Sequence, residues 1–152
     1  MIEIVPYNNF YRKSFAILNY EWLQKYFHIE DYDRKVLESP EEHIIKTGGQ
    51  VFFALNGKEA IGTAAMIARE EGIFELSKMA VTPAYQGQQI GLSLIEVALS
   101  YAREQKAKKV FLDSNRKLHP ALALYKSIGF GEICVDPNTP YERCDIRMEI
   151  LL

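Results

Sequence analysis

Hydrophobic residues recur along the chain with two different spacings, which predict two kinds of secondary structure. Leu92, Ile95 and Leu99 are three or four positions apart, as on one face of an amphipathic helix. The predicted helices span 10–26, 91–104 and 120–128, with a further helical segment broken at Pro40. Shorter apolar or alternating runs predict strands instead. The predicted strands are 2–5, 51–55, 60–68, 73–81, 109–113, 132–135 and 144–151.

Glycine, proline and asparagine mark the ends of these elements. Asn56-Gly57 lies between two predicted strands and is a strong hairpin signal, because both residues tolerate positive φ angles. Gly129 ends the last predicted helix. The strand at 109–113 follows a strand and a crossover helix, so it should run parallel to its neighbour. The order β-α-α-β-β-β-α-β-α-β-β predicts one α/β domain with a mixed sheet, spanning 1–152.

Composition and charge restrict the classes of function. The chain has 152 residues, of which 48% are hydrophobic and 25% are charged, as in ordinary soluble domains. Its net charge of −2 argues against a nucleic-acid-binding protein, which would carry a basic surface. No apolar run approaches the length of a membrane span, and the N-terminal residues lack the pattern of a signal peptide. Cys134 and Cys144 form no CxxC pair and the histidines form no HExxH motif, so we expect a cytoplasmic protein with reduced thiols and no metal site.

The most informative stretch joins the strand at 73–81 to the helix at 91–104. After Thr82-Pro83 the chain continues as a loop of small and amide residues, Gln86-Gly87-Gln88-Gln89-Ile90-Gly91-Leu92. The first N–H groups of a helix have no partner within the helix, and the helix dipole makes this end positive. Glycines let a diphosphate approach these groups. The loop therefore predicts an anion site, although it is neither a Walker loop nor a dinucleotide-binding fingerprint.

This stretch resembles the pyrophosphate-binding motif of the GNAT superfamily of acyl-CoA-dependent N-acetyltransferases. The family motif, Gln/Arg-x-x-Gly-x-Gly/Ala, follows a strand that ends in a Val-x-Pro-like turn, and Gln89 stands here where the family usually has glycine. The resemblance continues through Asn115, Tyr125 and Gly129-Phe130. It implies an α/β fold, with a mixed central sheet of about seven strands splayed between the fourth and fifth, flanked by about four helices.

The resemblance also implies which residues hold acetyl-CoA. The unpaired backbone of the fourth strand would hold the pantetheine arm and polarise the thioester carbonyl. The implied cofactor-binding residues are Met79, Ala80, Val81, Gln86, Gly87, Gln88, Gln89, Ile90, Gly91, Leu92, Asn115 and Tyr125. Alternatives stay open, because the strand groups could instead pair within an intact sheet, and Asn115 could instead form an Asx turn.

Two residues are implied to take part in the chemistry. Tyr125 would protonate the leaving thiolate of CoA; the alternative is that its ring only packs on the core. Glu75 lies on the fourth strand, where some family members have a catalytic glutamate that accepts the amine proton. With a period of two, Glu75 would share a face with Ser77, Met79 and Val81. The alternative is a solvent-facing or sheet-pairing Glu75, and a water relay could then serve as the base.

The amine that accepts the acetyl group is not identified by the sequence. An acidic segment from Glu30 to Glu42 lies where the family builds its acceptor wall, and it could attract a cationic amine or be a solvated helix face. Trp22, Tyr26 and Tyr32 could line an acceptor pocket or belong to the core. We expect direct transfer from acetyl-CoA to a small-molecule or peptide amine in a ternary complex, with no nucleic-acid or membrane partner and with a homodimer as one option. The rival interpretations are a non-catalytic acyl-CoA-binding regulatory module on the same fold and a protein-interaction domain that binds no CoA.

Overall fold

The computed structural model describes all 152 residues, and its central feature is a seven-stranded sheet with helices on both faces. The strands are β1 (Ile2–Pro6), β2 (Gln50–Asn56), β3 (Glu59–Glu70), β4 (Ile73–Val81), β5 (Lys109–Ser114), β6 (Gly131–Ile133) and β7 (Ile146–Leu151). The α-helices are α1 (Arg12–Tyr26), α2 (Asp31–Glu38), α3 (Ile90–Glu104) and α4 (His119–Ile128). Short 3₁₀ turns precede α1 and α3, and a π-helical turn at Glu41–Ile45 follows α2. The predicted order of strands and α-helices is confirmed.

The sheet is mixed, with the strand order β1-β2-β3-β4-β5-β7-β6. All neighbouring strands run antiparallel except β4 and β5, which are parallel because α3 crosses over between them. The predicted hairpin between β2 and β3 forms, with Gly57 at a φ of +64°. Its turn residues are Gly57 and Lys58, because Asn56 still pairs with Glu59. β6 and β7 pair as predicted, but both are shorter than expected because the connection between them bonds to α2 and β5 instead.

Two apolar cores lie on opposite faces of the sheet. The larger core packs α3 and α4 on the central strands, and it includes Leu94, Ile95 and Leu99. The smaller core packs α1 and α2 against β2 and β3, around Phe15 and Phe53. Burial of apolar surface contributes about 25 cal/mol per Å², so both cores stabilise the sheet. Because α1 also contacts β4, different helices cover the two faces of this strand.

The helices are short. The longest, α1 and α3, have 15 residues each, and none of the helices combines the length and the apolar character that a membrane crossing requires. α4 ends at Gly129, which has a φ of +122°. This ending turns the chain sharply into β6.

Candidate active site

β4 and β5 separate after a short paired segment. Parallel pairing joins only Ile73–Glu75 of β4 to Lys109–Phe111 of β5. Beyond it, β4 continues to Val81 and β5 to Ser114 without pairing with each other. The splay that the resemblance implies is therefore confirmed. The open edge of β4 carries backbone N–H and C=O groups that have no partner on β5.

A cavity of about 230 Å³ fills this opening and is called the cleft below. Its walls come from α1, β4, β5, α4 and the connection between β6 and β7. Six of the predicted cofactor-binding residues line it: Met79, Ala80, Val81, Gln86, Asn115 and Tyr125. No group of three or more His, Cys, Asp or Glu side chains in the chain is arranged to hold a metal ion. The fold thus brings distant predicted residues together in one cleft.

A β-bulge interrupts β4 at Lys78 and Met79. These two residues face the single residue Ala64 of β3. Lys78 has a φ of +53°, in the left-handed region that few residues with a Cβ adopt. The bulge turns Ser77 and Lys78 to the same side of the sheet, where both contact the hydroxyl of Tyr141.

Because of the bulge, Met79 and Val81 do not lie on the same face of β4 as Glu75. Met79 and Val81 pack against the core under α3. Glu75 is buried on the face of α2, where its carboxylate accepts a 2.8 Å hydrogen bond from Arg69, which also bonds to Tyr32. Burial raises the pKa of Glu75, and the guanidinium opposes this shift. The predicted shared face is therefore wrong for Met79 and Val81, although Ser77, which precedes the bulge, lies on the side of Glu75. Glu75 does not line the cleft.

The start of α3 has free backbone N–H groups. The first helical hydrogen bond here runs from the N–H of Ser93 to the carbonyl oxygen of Gln89, at 3.1 Å. The N–H groups of Ile90, Gly91 and Leu92 have no acceptor in the protein. Gln89 has a φ of +61°, so it adopts the left-handed conformation that a glycine would adopt more readily.

Side chains leave the approach to these N–H groups open. A Cβ on Gly87 would meet no atom within 4 Å, and one on Gly91 would meet only a leucine of α4 at 3.8 Å. The side chain of Gln86 donates to the carbonyl oxygen of Val81 at 3.1 Å, which ties the loop to the end of β4. Gln88 is exposed. The loop therefore has the geometry of an anion site.

Tyr125 reaches the cleft from α4. The N–H of Phe130 donates to the carbonyl oxygen of Tyr125 at 3.0 Å, and the two rings lie edge to face with centroids 5.9 Å apart. Burial raises the pKa of Tyr125 to about 12, and no protein group hydrogen-bonds its hydroxyl. The hydroxyl is therefore protonated at physiological pH and free to donate to a group in the cleft.

Asn115 uses its side chain to hold two connections. Its Nδ2 donates to the carbonyl oxygen of Arg143 at 2.7 Å, and its Oδ1 accepts from the N–H of Lys117 at 3.0 Å. The second bond is the Asx turn that the sequence left open. Asn115 also lines the cleft. Its contact with a cofactor stays a prediction.

Comparison with known proteins places this cleft in a family. The model of the Acetyltransferase (GNAT) family matches residues 16–130, a range that contains β4, the glycine loop, β5 and α4. The chain belongs to the GNAT acetyltransferase family. Its predicted family membership and fold class are confirmed.

Individual relatives agree with this assignment. The uncharacterized N-acetyltransferase YjgM of Escherichia coli K12 is 34% identical over 88 residues, which cover 57% of this chain and 53% of YjgM. This chain thus spans about half the length of the curated relatives it matches. A GNAT acetyltransferase structure from Staphylococcus aureus Mu50 covers 98% of both chains, with a TM-score of 0.89 and 23% identity. YncA of Salmonella typhimurium, solved with its cofactor acetyl-CoA, covers 99% of this chain and 93% of its own, with a TM-score of 0.78 and 16% identity. At these identities the two structures show the fold alone.

A buried charge cluster closes one side of the cleft in this GNAT protein. It consists of Asp33 and Glu30 at α2, Lys78 on β4, and Arg143 from the connection between β6 and β7. Asp33, 0% exposed, accepts a 2.8 Å bond from Lys78 and two 2.8 Å bonds from Arg143, which also donates to Glu30 at 3.0 Å. Burial alone would raise the pKa of Asp33, but the bonds from Arg143 and the Lys78 ammonium hold it well below its ordinary value. The cluster joins three distant segments beside the cleft.

Most carboxylates of the acidic segment are paired with cations within the protein, and Glu38 is hydrogen-bonded by a tyrosine. Asp33 and Glu30 belong to the charge cluster. The remaining acidic side chains have the partners Asp31–Arg34, Glu41–Arg12, Glu42–Lys46 and Glu38–Tyr20. The segment therefore presents no unpaired carboxylate to the cleft. Of the three aromatic residues considered for an acceptor pocket, Trp22 lines the cleft, whereas Tyr26 and Tyr32 do not.

Several residues that line the cleft are not among those the sequence predicts. They include Asn19, Ser77, Lys78, Asp113, Ser114, Tyr141 and Arg143. The carboxylate of Asp113 is bonded to Arg147 at 2.7 and 3.0 Å and to Thr139 at 2.9 Å. The sequence gives one signal of the charge cluster. Lys78 lies inside an apolar strand, and a buried lysine requires a partner for its charge. That partner, Asp33, lies 45 positions from Lys78.

Proposed function

We propose that this chain is an acetyl-CoA-dependent N-acetyltransferase, which transfers the acetyl group directly to an amine in a ternary complex. The observation that carries the proposal is the unbonded hydroxyl of Tyr125 in the cleft between β4 and β5. Membership of the acetyltransferase family supports the reaction class. Residues 1–152 would form a single acetyltransferase domain.

The residues present fit an acyl-CoA substrate. A diphosphate needs several N–H donors at a positive helix end, and Ile90, Gly91 and Leu92 supply them at the start of α3. The pantetheine arm contains amides, which can pair with the open edge of β4 at Met79 and Val81 as an added strand would. The acetyl-CoA complex of the Salmonella neighbour supports this choice of ligand.

The chain contributes two groups to acetyl transfer. When the amine nitrogen attacks the thioester carbon, a C–N bond forms and the C–S bond breaks. A backbone N–H on the open edge of β4 would stabilise the negative charge on the carbonyl oxygen. Met79 is the candidate, because it lies in the bulge, where the regular ladder to β3 is interrupted. Tyr125 would donate its hydroxyl hydrogen bond to the departing sulfur. The pKa of Tyr125 is about 12 and that of a simple thiol is about 8.5. Full proton transfer to the thiolate would therefore be unfavourable, and Tyr125 would act as a hydrogen-bond donor.

The route for the amine proton differs from the one predicted first. Glu75 bonds to Arg69 and lies outside the cleft lining. Asp113 lines the cleft, but Arg147 and Thr139 already occupy its carboxylate. These contacts favour a water relay over a side-chain base, so the amine proton would pass to solvent.

The rival candidate is a regulatory module that binds acyl-CoA without catalysis. The glutamine at position 89 gives it little support, because Gln89 adopts the left-handed conformation that the motif requires. A protein that only binds acyl-CoA would also need no hydrogen-bond donor at the leaving sulfur. The hydroxyl of Tyr125 is such a donor, and it has no partner within the protein. The enzyme is therefore the better supported candidate.

Gly91→Glu tests the cofactor site. A carboxylate about 5 Å from two phosphate charges costs about 1.7 kcal/mol even at the dielectric constant of water. Acetyl-CoA affinity, measured by calorimetry, should therefore weaken by at least about twentyfold. The fold should persist, because the new Cβ meets only one atom, at 3.8 Å. Ser100→Glu adds the same charge at an exposed position near the far end of α3 and should bind normally.

The two outcomes separate the proposals. Equal affinity in both variants would mean that the diphosphate binds elsewhere. The proposed cofactor site at the start of α3 would then be wrong. Thiol release from acetyl-CoA in the presence of a panel of amines then tests catalysis. Tight binding without thiol release from any amine would favour the regulatory module.

A further inference from the structure

The cleft has two sides that come from different faces of the sheet. α3 and α4 pack on one face and α1 packs on the other. The cavity passes between β4 and β5 and reaches α1, where Trp22 and Phe27 line it together with Tyr141. These three residues are called the aromatic wall. Since the proposed acyl-CoA would bind its diphosphate at α3, the aromatic wall is left for the amine acceptor.

Every charged side chain that lines the cleft already has a partner of opposite charge. The three are Lys78, Arg143 and Asp113. Lys78 and Arg143 share Asp33, and Asp113 is bonded to Arg147. A second ammonium or a carboxylate on the acceptor would therefore be buried without a counter-charge, which is strongly unfavourable.

One neutral hydrogen-bond acceptor on α1 is free. Asn19 is only 2% exposed and lines the cleft. Its Nδ2 donates to the carbonyl oxygen of Phe15 at 3.0 Å, which fixes the orientation of the amide. Its Oδ1 has no protein partner, yet it is not among the atoms sealed from solvent. Since this oxygen is open to the cleft and accepts no hydrogen bond within the protein, it is suited to receive an N–H group from a ligand.

We propose that the amine acceptor is a primary amine with a single amino group on an apolar carrier, whose N–H bonds to Asn19 Oδ1 while the carrier packs on the aromatic wall. The inference rests on the proposed acetyltransferase function. The Tyr141 ring already contacts the cationic groups of Lys78 and Arg143. These like charges disfavour the ammonium form, so the site selects the neutral amine without a side-chain base. The nitrogen lone pair then attacks the thioester carbon, the C–S bond breaks, the sulfur leaves as a thiolate to which Tyr125 hydrogen-bonds, and the surplus amine proton passes to water.

Three compounds of equal chain length test the carrier. Hexylamine, 1,6-diaminohexane and 6-aminohexanoate end in a methyl, an ammonium and a carboxylate group. At saturating acetyl-CoA, kcat/KM for hexylamine should exceed the other two values by at least about tenfold. It should also fall about fourfold for each methylene removed, in pentylamine and butylamine.

The outcomes distinguish this inference from the function on which it rests. Preference for the diamine or the amino acid would overturn the inference and leave the acetyltransferase intact. Acetylation of none of these three amines, with thiol release for another amine of the panel, would also overturn the inference alone. Thiol release with no amine of the panel, with acetyl-CoA bound, would overturn both.

Variants of α1 test the role of Asn19. Asn19→Leu should raise KM for hexylamine at least about tenfold, with acetyl-CoA affinity unchanged. Asn19→Asp keeps an oxygen in place but stabilises the ammonium form, so the rate–pH curve should move to higher pH. A merely structural role would not move that curve. Ile17→Ala, at a 64% exposed position of the same helix, is the control and should behave as wild type.

Trp22→Ala covers the case in which the Asn19 variants do not fold. It should lower kcat/KM for hexylamine more than for 1,6-diaminohexane, because it removes apolar surface from the wall. Unchanged KM and an unchanged pH profile in folded Asn19 variants would overturn the role of Asn19. Equal losses for both amines in Trp22→Ala would overturn the role of the aromatic wall.

Discussion

Replacing Tyr125 by phenylalanine removes one hydroxyl and leaves the rest of the site in place. The ring keeps its edge-to-face contact with Phe130, and the bond that caps α4 involves only backbone atoms. No protein group bonds to the hydroxyl, so its removal leaves no buried partner unsatisfied. The free energy of unfolding should therefore change by less than about 1 kcal/mol.

The size of the catalytic loss follows from the environment of the hydroxyl. Burial raises the pKa of Tyr125 to about 12, whereas a simple thiol has a pKa of about 8.5. Full proton transfer to the thiolate would cost about 4.8 kcal/mol, so the hydroxyl acts mainly as a hydrogen-bond donor. A hydrogen bond to a charged group contributes about 1.5–3 kcal/mol, which predicts a fall in kcat of about 10- to 150-fold. Because the phenol stays protonated, the wild-type rate should not decline through its ionisation below a pH of about 10.

Three measurements on Tyr125→Phe are needed together. Thiol release with hexylamine at saturating acetyl-CoA gives kcat, calorimetry gives the affinity for acetyl-CoA, and urea unfolding gives the stability. A lower kcat at unchanged affinity and stability is expected, since the interaction strengthens in the transition state. Full activity would refute the reasoning and leave Tyr125 as a packing residue. A loss of affinity would instead mean that the hydroxyl holds the substrate in the ground state, as a regulatory binder also could.

The remaining predictions concern the loop, the buried glutamate and the charge cluster. Gln89→Gly should change acetyl-CoA affinity in calorimetry by less than about tenfold, ~1.4 kcal/mol, because the Gln89 side chain is exposed and forms no cap bond; a larger change would mean that this side chain contacts or obstructs the cofactor. Glu75→Gln should keep kcat within about threefold at pH 8, because the carboxylate does not line the cleft; a hundredfold loss would identify the base. Asp33→Asn removes the counter-charge of Lys78 and leaves Arg143 with Glu30 alone, so urea unfolding should give a loss of about 3–5 kcal/mol. That loss should shrink as the pH rises. Asp33 opposes the lowering of the Lys78 pKa by burial, so its removal lowers the folded-state pKa further, and the unfolded chain then binds the extra proton; wild-type stability at every pH would contradict this prediction.

The parts of the fold that could be predicted from sequence depend on local signals. The hairpin at Asn56-Gly57 and the helix after the glycine loop follow from residues within a few positions of each other. The splay between β4 and β5 has no such signal in either strand. It came from the resemblance to the GNAT family, because the point at which two strands part depends on what packs around them.

The surroundings of Glu75 show where local reading fails. A period of two holds only while the ladder is regular, and one extra residue reverses the faces of all that follow. The bulge at Lys78 is that residue, and no glycine or proline marks it. Its charge partner Asp33 lies 45 positions away, and Arg143 lies 110 positions from Asp33. Pairings over such distances cannot be found from the pattern of a single chain.

The position of Lys78 connects both sides of the proposed reaction. A left-handed backbone at a residue with a Cβ costs about 1–2 kcal/mol, and a buried ion pair is by itself weak evidence of stabilisation. The cluster is therefore better explained by the geometry it imposes. Asp33 fixes the ammonium of Lys78 and hence the bulge, which determines which backbone groups of β4 face the cleft. The same carboxylate holds Arg143, and with it the connection that carries Tyr141 to the aromatic wall. One buried carboxylate thus positions both the strand edge proposed for the thioester and the wall proposed for the amine.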